Sequence, residues 1–326
     1  MVFKEISSNF KGKRCLVTGG TGFIGSNIAK QLLQEGVHVR VISHKRKMPF
    51  CHKKLEIING NLTEYDFCKE VVKDVDIVFN CASFTSGSFN IVNNPSLFIM
   101  PNLMINAQMV DACCKASVEK FIFISSAIVY PEKNTPHKEE CVWKDDVPKS
   151  YEALGWLNRY LEKLFQFYHD NFDINICVVR ASSVYGEGDN FDLKTGRVIP
   201  SLINKISSSK NKIEVWGDGS CIRDFIYIDD LVRGIFLAMK YYSCGKPINI
   251  ASGVSYSVDE CIEKIFSITG KKLDIIYNKD KPSTVSKTRI DINLANEKIN
   301  FKPLYSFEEG IKKTIEWYND NLKEKR

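Results

Sequence analysis

Histidine is scarce in this chain and cysteine has no pattern. The 5 histidines among 326 residues (His38, His44, His52, His137 and His169) occupy unrelated segments with no i, i+4 pair, which argues against a metal site. The 11 cysteines include no C-x-x-C and no repeated spacing. That excludes a disulfide framework or zinc ribbon and leads us to expect a reducing, cytoplasmic setting. No stretch reads as the roughly 18 uncharged apolar residues of a membrane span. Met1 to Lys13 carries Lys4, Glu5, Lys11 and Lys13 where a signal peptide has an apolar run, so neither export nor a membrane is expected. A strong excess of one charge is missing too. The 45 Lys and Arg exceed the 39 Asp and Glu by only six, and they are spread without an aromatic-interleaved basic block, so nucleic acid is not the expected partner. The small surplus suits an anionic small molecule.

What is present is the balance of an ordinary globular protein, 44% hydrophobic and 26% charged, in a chain too long for one growing core. Short β-branched runs alternate with helical periodicity. Arg14 to Thr18 reads as a strand, Asn27 to Glu35 as a helix, and Val37 to Ser43, Leu55 to Ile58, Val75 to Asn80, Lys120 to Ser125 and Ile174 to Arg180 as further strands. Such alternation predicts an α/β fold, a doubly wound parallel sheet of the Rossmann kind. Residues 1–180 are then a dinucleotide-binding domain. Residues 181–326, more irregular and ending in an amphipathic helix from Phe307 to Asn321, form mainly a smaller α/β substrate-binding lid, with some segments returning to the first domain. Two long helices, Leu97 to Ala116 and Tyr151 to Asp170, are apolar around much of their circumference, the mark of helices covered on two sides.

The first chemical signal is Thr18 to Gly25, TGGTGFIG, directly after a strand and before a helix. Glycines at 19, 22 and 25 permit a tight turn and close approach of backbone to a pyrophosphate, and the helix N-terminus offers free N–H groups. Gly19, Thr21, Gly22, Phe23, Ile24 and Gly25 are therefore candidate cofactor contacts. Asn61 and Leu62 after the third strand join them, as do Cys81, Ala82 and Ser83 after the fourth. After the second strand, where an acid would hold the ribose hydroxyls of NAD, the chain reads Ser43-His44-Lys45-Arg46-Lys47. His44 and Arg46 suit a 2′-phosphate and favour NADP, with NAD not excluded; a solvated basic loop is the alternative reading.

The glycine turn, Ser125 to Tyr130 (SSAIVY), Tyr151, Arg180 to Gly186 (RASSVYG), Val215 to Gly219 (VWGDG) and Arg223 to Asp230 (RDFIYIDD) occur in order along most of the chain. Together they resemble the extended short-chain dehydrogenase/reductase family, the NAD-dependent epimerase/dehydratase type. Asn190-Phe191-Asp192 with Val198-Ile199-Pro200 resembles the GDP-fucose-synthase-like GDP-sugar enzymes. The resemblance implies an enzyme using NAD(P)(H), with Tyr151 as the base that takes a hydroxyl proton and Ser126 as its partner, both catalytic, Tyr151 also touching the cofactor and Ser126 the substrate. It implies nucleotide-sugar contacts from Asn190, Arg197, Val198, Trp216 and Arg223, the last holding the pyrophosphate through its planar guanidinium; an ion pair with Asp224 or Asp229 is the alternative for Arg223. Asp229 and Asp230 read as caps of a helix starting at Leu231.

The departures narrow the chemistry. The Lys of the family's Y-x-x-x-K motif is Gly155 here. Lys149 precedes Tyr151 by two residues and Arg159 lies two turns on, so neither is an obvious substitute. The acid pair of family dehydratases aligns with Ala127 and Ile128, and the groups that family members use to invert C3 and C5 are likewise missing. Hydride chemistry at C4 survives: a dehydrogenase or reductase of a nucleotide sugar, with a C4 epimerase holding its cofactor tightly, or a non-catalytic cofactor- and sugar-binding homologue, as alternatives. The resemblance also implies a homodimer in which the two apolar helices of each subunit form a four-helix bundle.

Overall fold

The computed structural model describes residues 8–84, 94–281 and 287–322; the first seven residues of the segment tested for a signal peptide lie outside them. Strands β1 (Arg14–Thr18), β2 (His38–Ser43), β3 (Leu55–Asn59), β4 (Ile77–Asn80), β5 (Lys120–Ser126) and β6 (Asn175–Ala181) realise the expected strands within two residues at either end. Later in the chain come β7 (Ser183–Tyr185), β8 (Lys212–Trp216), β9 (Ile222–Tyr227), β10 (Pro247–Ile250), β11 (Ser255–Ser257) and β12 (Asp274–Asn278). Helices are α1 (Phe23–Gln34), α2 (Tyr65–Val71), α3 (Ser96–Lys115), α4 (Glu152–Asn171), α5 (Val198–Ser208), α6 (Ile228–Tyr241), α7 (Val258–Thr269), α8 (Asn293–Ile299) and α9 (Phe307–Asn321).

The main sheet has seven strands in the order β10-β6-β5-β4-β1-β2-β3, every neighbouring pair parallel. The seventh, β10, comes from far along the chain and pairs with β6, a strand that our reading of the sequence did not foresee. Alternation within the strands divides the core in two. Cys15, Val17, Ile77, Phe79, Ile122, Cys177 and Val179 face α1 and α6, whereas Leu16, Val78, Phe121, Phe123, Ile176 and Val178 face α2, α3 and α4. Both faces are covered, as parallel sheets require. Two small sheets, β11-β9-β7 and β12-β8, lie in the later half of the chain, where the sequence read as irregular.

Helix α3 is long and apolar enough, by length and composition, to cross a membrane. In the fold its inner face carries Asn102 and Asn106, both buried, as well as apolar residues. Thr18 donates to Asn80 Oδ1 (2.7 Å), Asn80 to Asn106 Oδ1 (2.8 Å), and Asn106 to the Asn102 carbonyl (2.8 Å). This ladder fastens the glycine turn and the end of β4 to α3, and each of its members is paired, as burial demands.

Candidate active site

Because β1 to β5 run parallel, their carboxyl ends lie on one edge, and the strand order reverses between β1 and β4. That reversal leaves a crevice beyond the sheet, the place where ligands of such folds bind. The structure brings most of the expected cofactor residues there: the 19–25 turn follows β1, His44 and Arg46 follow β2, Asn61 and Leu62 follow β3, and Cys81, Ala82 and Ser83 follow β4. Gly19 has φ +60°, and a Cβ on it would stand 2.8 Å from the backbone of Ala82 and from the Cys81 carbonyl. A Cβ on Gly25 would stand 2.4 Å from the Gly19 carbonyl. Only glycine lets turn, helix and the β4 end meet this closely. Helix α1 begins at Phe23, and its N-cap, Gly22, has no side chain to pair with the first N–H groups of the helix. A bare cradle ahead of a helix N-terminus fits a dinucleotide pyrophosphate.

The neighbouring groups are polar without being reactive. Burial pushes the Cys81 thiol up to about 12, so it is held as a thiol. Asn61 folds back on its own loop, its Oδ1 accepting from Thr63 N at 3.1 Å. At the end of β2, Asn59 Nδ2 donates to Ser43 Oγ and to the His44 carbonyl, while His44, Lys45, Arg46 and Lys47 stay exposed.

Ser126 ends β5, and its Oγ accepts from Ile128 N at 3.4 Å, starting the 127–129 turn. Tyr151 ends a 3₁₀ turn, Lys149–Tyr151, immediately before α4, and lines a cavity of about 210 Å³ with Pro95, Lys149, Ser150, Glu152, Ala153 and Leu154. Among the described residues its hydroxyl has no hydrogen-bond partner. Gly155 is buried in the first turn of α4. A Cβ there would lie 2.8 Å from Val147 Cγ1 and 3.0 Å from the Ile128 carbonyl, so this glycine is a point of close packing with no room for a lysine stem.

Beneath this region runs a buried polar network that sequence reasoning missed. Glu162 accepts from Ser125 Oγ (2.6 Å) and from Arg180 Nε and Nη2 (3.0 and 2.6 Å to Oε1 and Oε2). Arg180 Nη1 also donates to the Tyr130 hydroxyl and the Glu139 carbonyl, and Tyr130 donates to Asn249 Oδ1 at 2.6 Å. Burial lifts the Tyr130 phenol, against the lowering effect of Arg180. Strand β6, helix α4 and β10 are tied together directly under Ser126. The available signal was an arginine ending an otherwise apolar strand, which requires a buried anion.

The expected substrate residues gather less completely. Asn190 spends its amide on its own loop, donating to Thr195 Oγ1 (2.9 Å) and accepting from Asp192 N (3.1 Å). Arg197 precedes α5, which starts at Val198, and its positive charge favours the ionised form of Asp189. Burial raises the Asp189 carboxyl to about 6, and its Oδ2 has no partner among the described residues. Trp216 ends β8, with Lys205 and Lys281 over its ring at 5.8 and 5.7 Å. Arg223 sits on β9 opposite Tyr256 of β11. Asp224, next along the strand, turns the other way and accepts from Ser252 N, Ser252 Oγ and Gly253 N; burial raises it to about 6 against those bonds. The caps expected of Asp229 and Asp230 are not made: α6 starts at Ile228, and Asp230 instead accepts from Leu304 N (2.8 Å) and Tyr305 N (3.0 Å) of a distant segment.

Residues 15–251 match the model of the "NAD dependent epimerase/dehydratase family". Among characterised proteins, the chain is similar to GDP-mannose 3,5-epimerase 1 of Oryza sativa subsp. indica, 29% identical over 323 residues, covering 96% of this chain and 83% of that protein. It is also similar to GDP-L-fucose synthase of Sinorhizobium fredii, 28% identical over 319 residues, covering 95% and 97%. Among solved structures, the UDP-glucose 4-epimerase of Thermotoga maritima with UDP-glucose superposes with a TM-score of 0.86 at 25% identity, covering 95% of this chain and 99% of that one. MoeE5 in complex with UDP-glucuronic acid and NAD gives 0.83 at 26%, covering 95% and 100%.

Proposed function

The chain belongs to the NAD dependent epimerase/dehydratase family, and from that premise we propose that it is an NAD(P)-dependent oxidoreductase acting at C4 of a nucleotide-diphosphate sugar, a GDP-manno-hexose or GDP-manno-heptose. The observation that carries the reading is the bare glycine cradle of residues 19–25 on the same sheet edge as Ser126, with Tyr151 at the head of the next helix. When bound, a nicotinamide supplies the hydride acceptor. The chain's own part is to hold the pyrophosphate on the α1 N-terminus, to orient the sugar by Ser126, and to take the hydroxyl proton at Tyr151. The exposed His44 and Arg46 and the missing acid after β2 support NADP over NAD. The resemblance to a 3,5-epimerase and a fucose synthase supports a GDP-sugar, while Ile128 and Ala127 in the turn after Ser126 offer no acid or base for inversion or elimination.

A panel of GDP-manno-sugars should change cofactor absorbance or yield a keto sugar, and Tyr151→Phe should reduce the rate by at least 100-fold, the order of a lost general base. No turnover across the panel refutes the oxidoreductase reading; product without net cofactor change identifies the tightly held cofactor of a C4 epimerase. A second reading, a homologue that binds cofactor and sugar without turnover, is favoured by one observation: the packed Gly155 leaves Tyr151 no cation one turn along. Binding of dinucleotide and GDP-sugar without turnover by the wild-type chain would support that reading, and turnover that Tyr151→Phe abolishes would refute it. The outer faces of α3 and α4 expose Leu97, Met100, Trp156, Tyr160 and Phe167, which supports a homodimer through a four-helix bundle.

A further inference from the structure

The amino edge of the main sheet carries a second collection of charge. Strands β1, β2 and β3 begin there, at the opposite edge from the glycine turn. Arg14 is in register with His38, and the β2–β3 pairing puts His38 level with Lys54, so three basic residues stand in one row across three neighbouring strand ends. Arg40 and Glu56 face each other two residues further along. With Lys53, these side chains line a cavity of about 130 Å³.

The charges in this cavity do not balance. Four permanent cations meet one carboxylate, and that carboxylate is already engaged: Glu56 accepts from Arg40 Nε at 2.9 Å and from Nη2 at 3.3 Å. Arg40 is buried and spends Nη1 on the Val71 and Lys73 carbonyls at the end of α2, both at 2.8 Å. Lys54 donates to the Gly36 carbonyl. Asp76, just before β4, accepts from Arg14 N (2.8 Å) and from Lys13 (3.5 Å). Among the described residues, the Arg14 guanidinium, the Lys53 ammonium and the His38 ring therefore keep their donors without a protein partner. Like charges on adjacent strands destabilise a sheet unless a counter-charge is present, and a concave site lined by one sign of charge concentrates its field on whatever enters.

We infer that this cavity is an anion site, separate from the catalytic crevice, that takes one phosphate dianion: Arg14 holds two oxygens through its planar guanidinium, and Lys53 and His38 donate to the others. The volume is that of about four waters, which suits a single phosphoryl group and is too small for a dinucleotide. Inorganic phosphate and the phosphate monoester of a small metabolite share this chemistry. The length of β1, roughly 16 Å, separates Arg14 from Gly19, so the site does not depend on the cofactor reading and should fill while the crevice is occupied.

The test follows the histidine ring resonances of the full chain, because His38 is one of five histidines and His38→Gln assigns its signal. At constant pH, wild type, Arg14→Ala, Lys53→Ala and Lys246→Ala are titrated with sodium phosphate, with a hexose 1-phosphate, and with sodium chloride at matched ionic strength. Lys246 is an exposed lysine beside β10, at the far end of the same sheet, and serves as the control. In wild type, phosphate should move the His38 resonance saturably. Arg14→Ala should raise the half-saturating phosphate concentration at least about tenfold, the loss of a bidentate charge-assisted contact, Lys53→Ala should raise it about threefold, and Lys246→Ala should leave it unchanged. Whichever of the two phosphates binds more tightly identifies the source of the anion. A His38 resonance that neither phosphate moves, a shift that chloride reproduces, or wild-type saturation in both Arg14→Ala and Lys53→Ala overturns the inference and leaves the cofactor reading standing.

Discussion

Restoring the missing lysine at position 155 is the obvious experiment, and the packing predicts that it fails. An ideal Cβ on Gly155 stands 2.8 Å from Val147 Cγ1, 3.0 Å from Val147 Cβ and 3.0 Å from the Ile128 carbonyl oxygen. In an unconstrained helix Gly→Ala gains about 1 kcal/mol of propensity. Here it also forces a methyl against a short branched side chain and a backbone oxygen, and overpacking of this kind costs about 1–3 kcal/mol. The net for Gly155→Ala is a loss of about 0–2 kcal/mol. Gly155→Lys adds four further heavy atoms and a charge beside the buried Arg159, one turn on, so it should cost at least about 3 kcal/mol and not raise turnover. Urea unfolding at constant slope gives both numbers, with single-turnover rates alongside. Stabilisation of about 1 kcal/mol by Gly155→Ala would show that propensity acts undiluted and refute the packing argument. Faster turnover in Gly155→Lys would refute the claim that this position cannot serve the site.

Two further expectations follow from burial and exposure. His137 stacks on Tyr130 at 4.8 Å and is buried, which lowers it from 6.5 to about 4. The unfolded chain therefore takes up the proton first; the stability this neutral histidine confers is full above pH 6.5 and falls by about 3 kcal/mol as the pH drops toward 4. His137→Phe, which keeps the stack, should show a shallower loss of unfolding free energy between pH 7 and pH 4.5, and parallel profiles would contradict the assignment. Sedimentation of the full chain should give a dimer that Trp156→Asp with Tyr160→Asp turns into a monomer; a wild-type monomer would reject the four-helix bundle.

The parallel sheet was legible because buried parallel strands are short, largely apolar runs, as β1, β4, β5 and β6 are; the edge strand β3, with Ile57 exposed, is the exception. Strand β10 was not legible, since Pro247 to Ile250 is short and its pairing with β6 depends on more than sixty intervening residues. The same limit governed Asp230. Its position just before Leu231 suggested a cap, and only the approach of residues 304 and 305 shows what its carboxylate accepts. Asn190 looked like a free loop amide until the loop closed on it.

The sequence by itself determined the alternation of strands and helices, the glycine turn and the absence of a lysine four residues after Tyr151, because each depends on neighbours within one or two turns. Only the tertiary structure decided that Gly155 is pressed against Val147 and Ile128 and that Arg180 answers Glu162. These are consequences of long-range contact, where sterics and the pairing of buried charge, not local propensity, set the free energy.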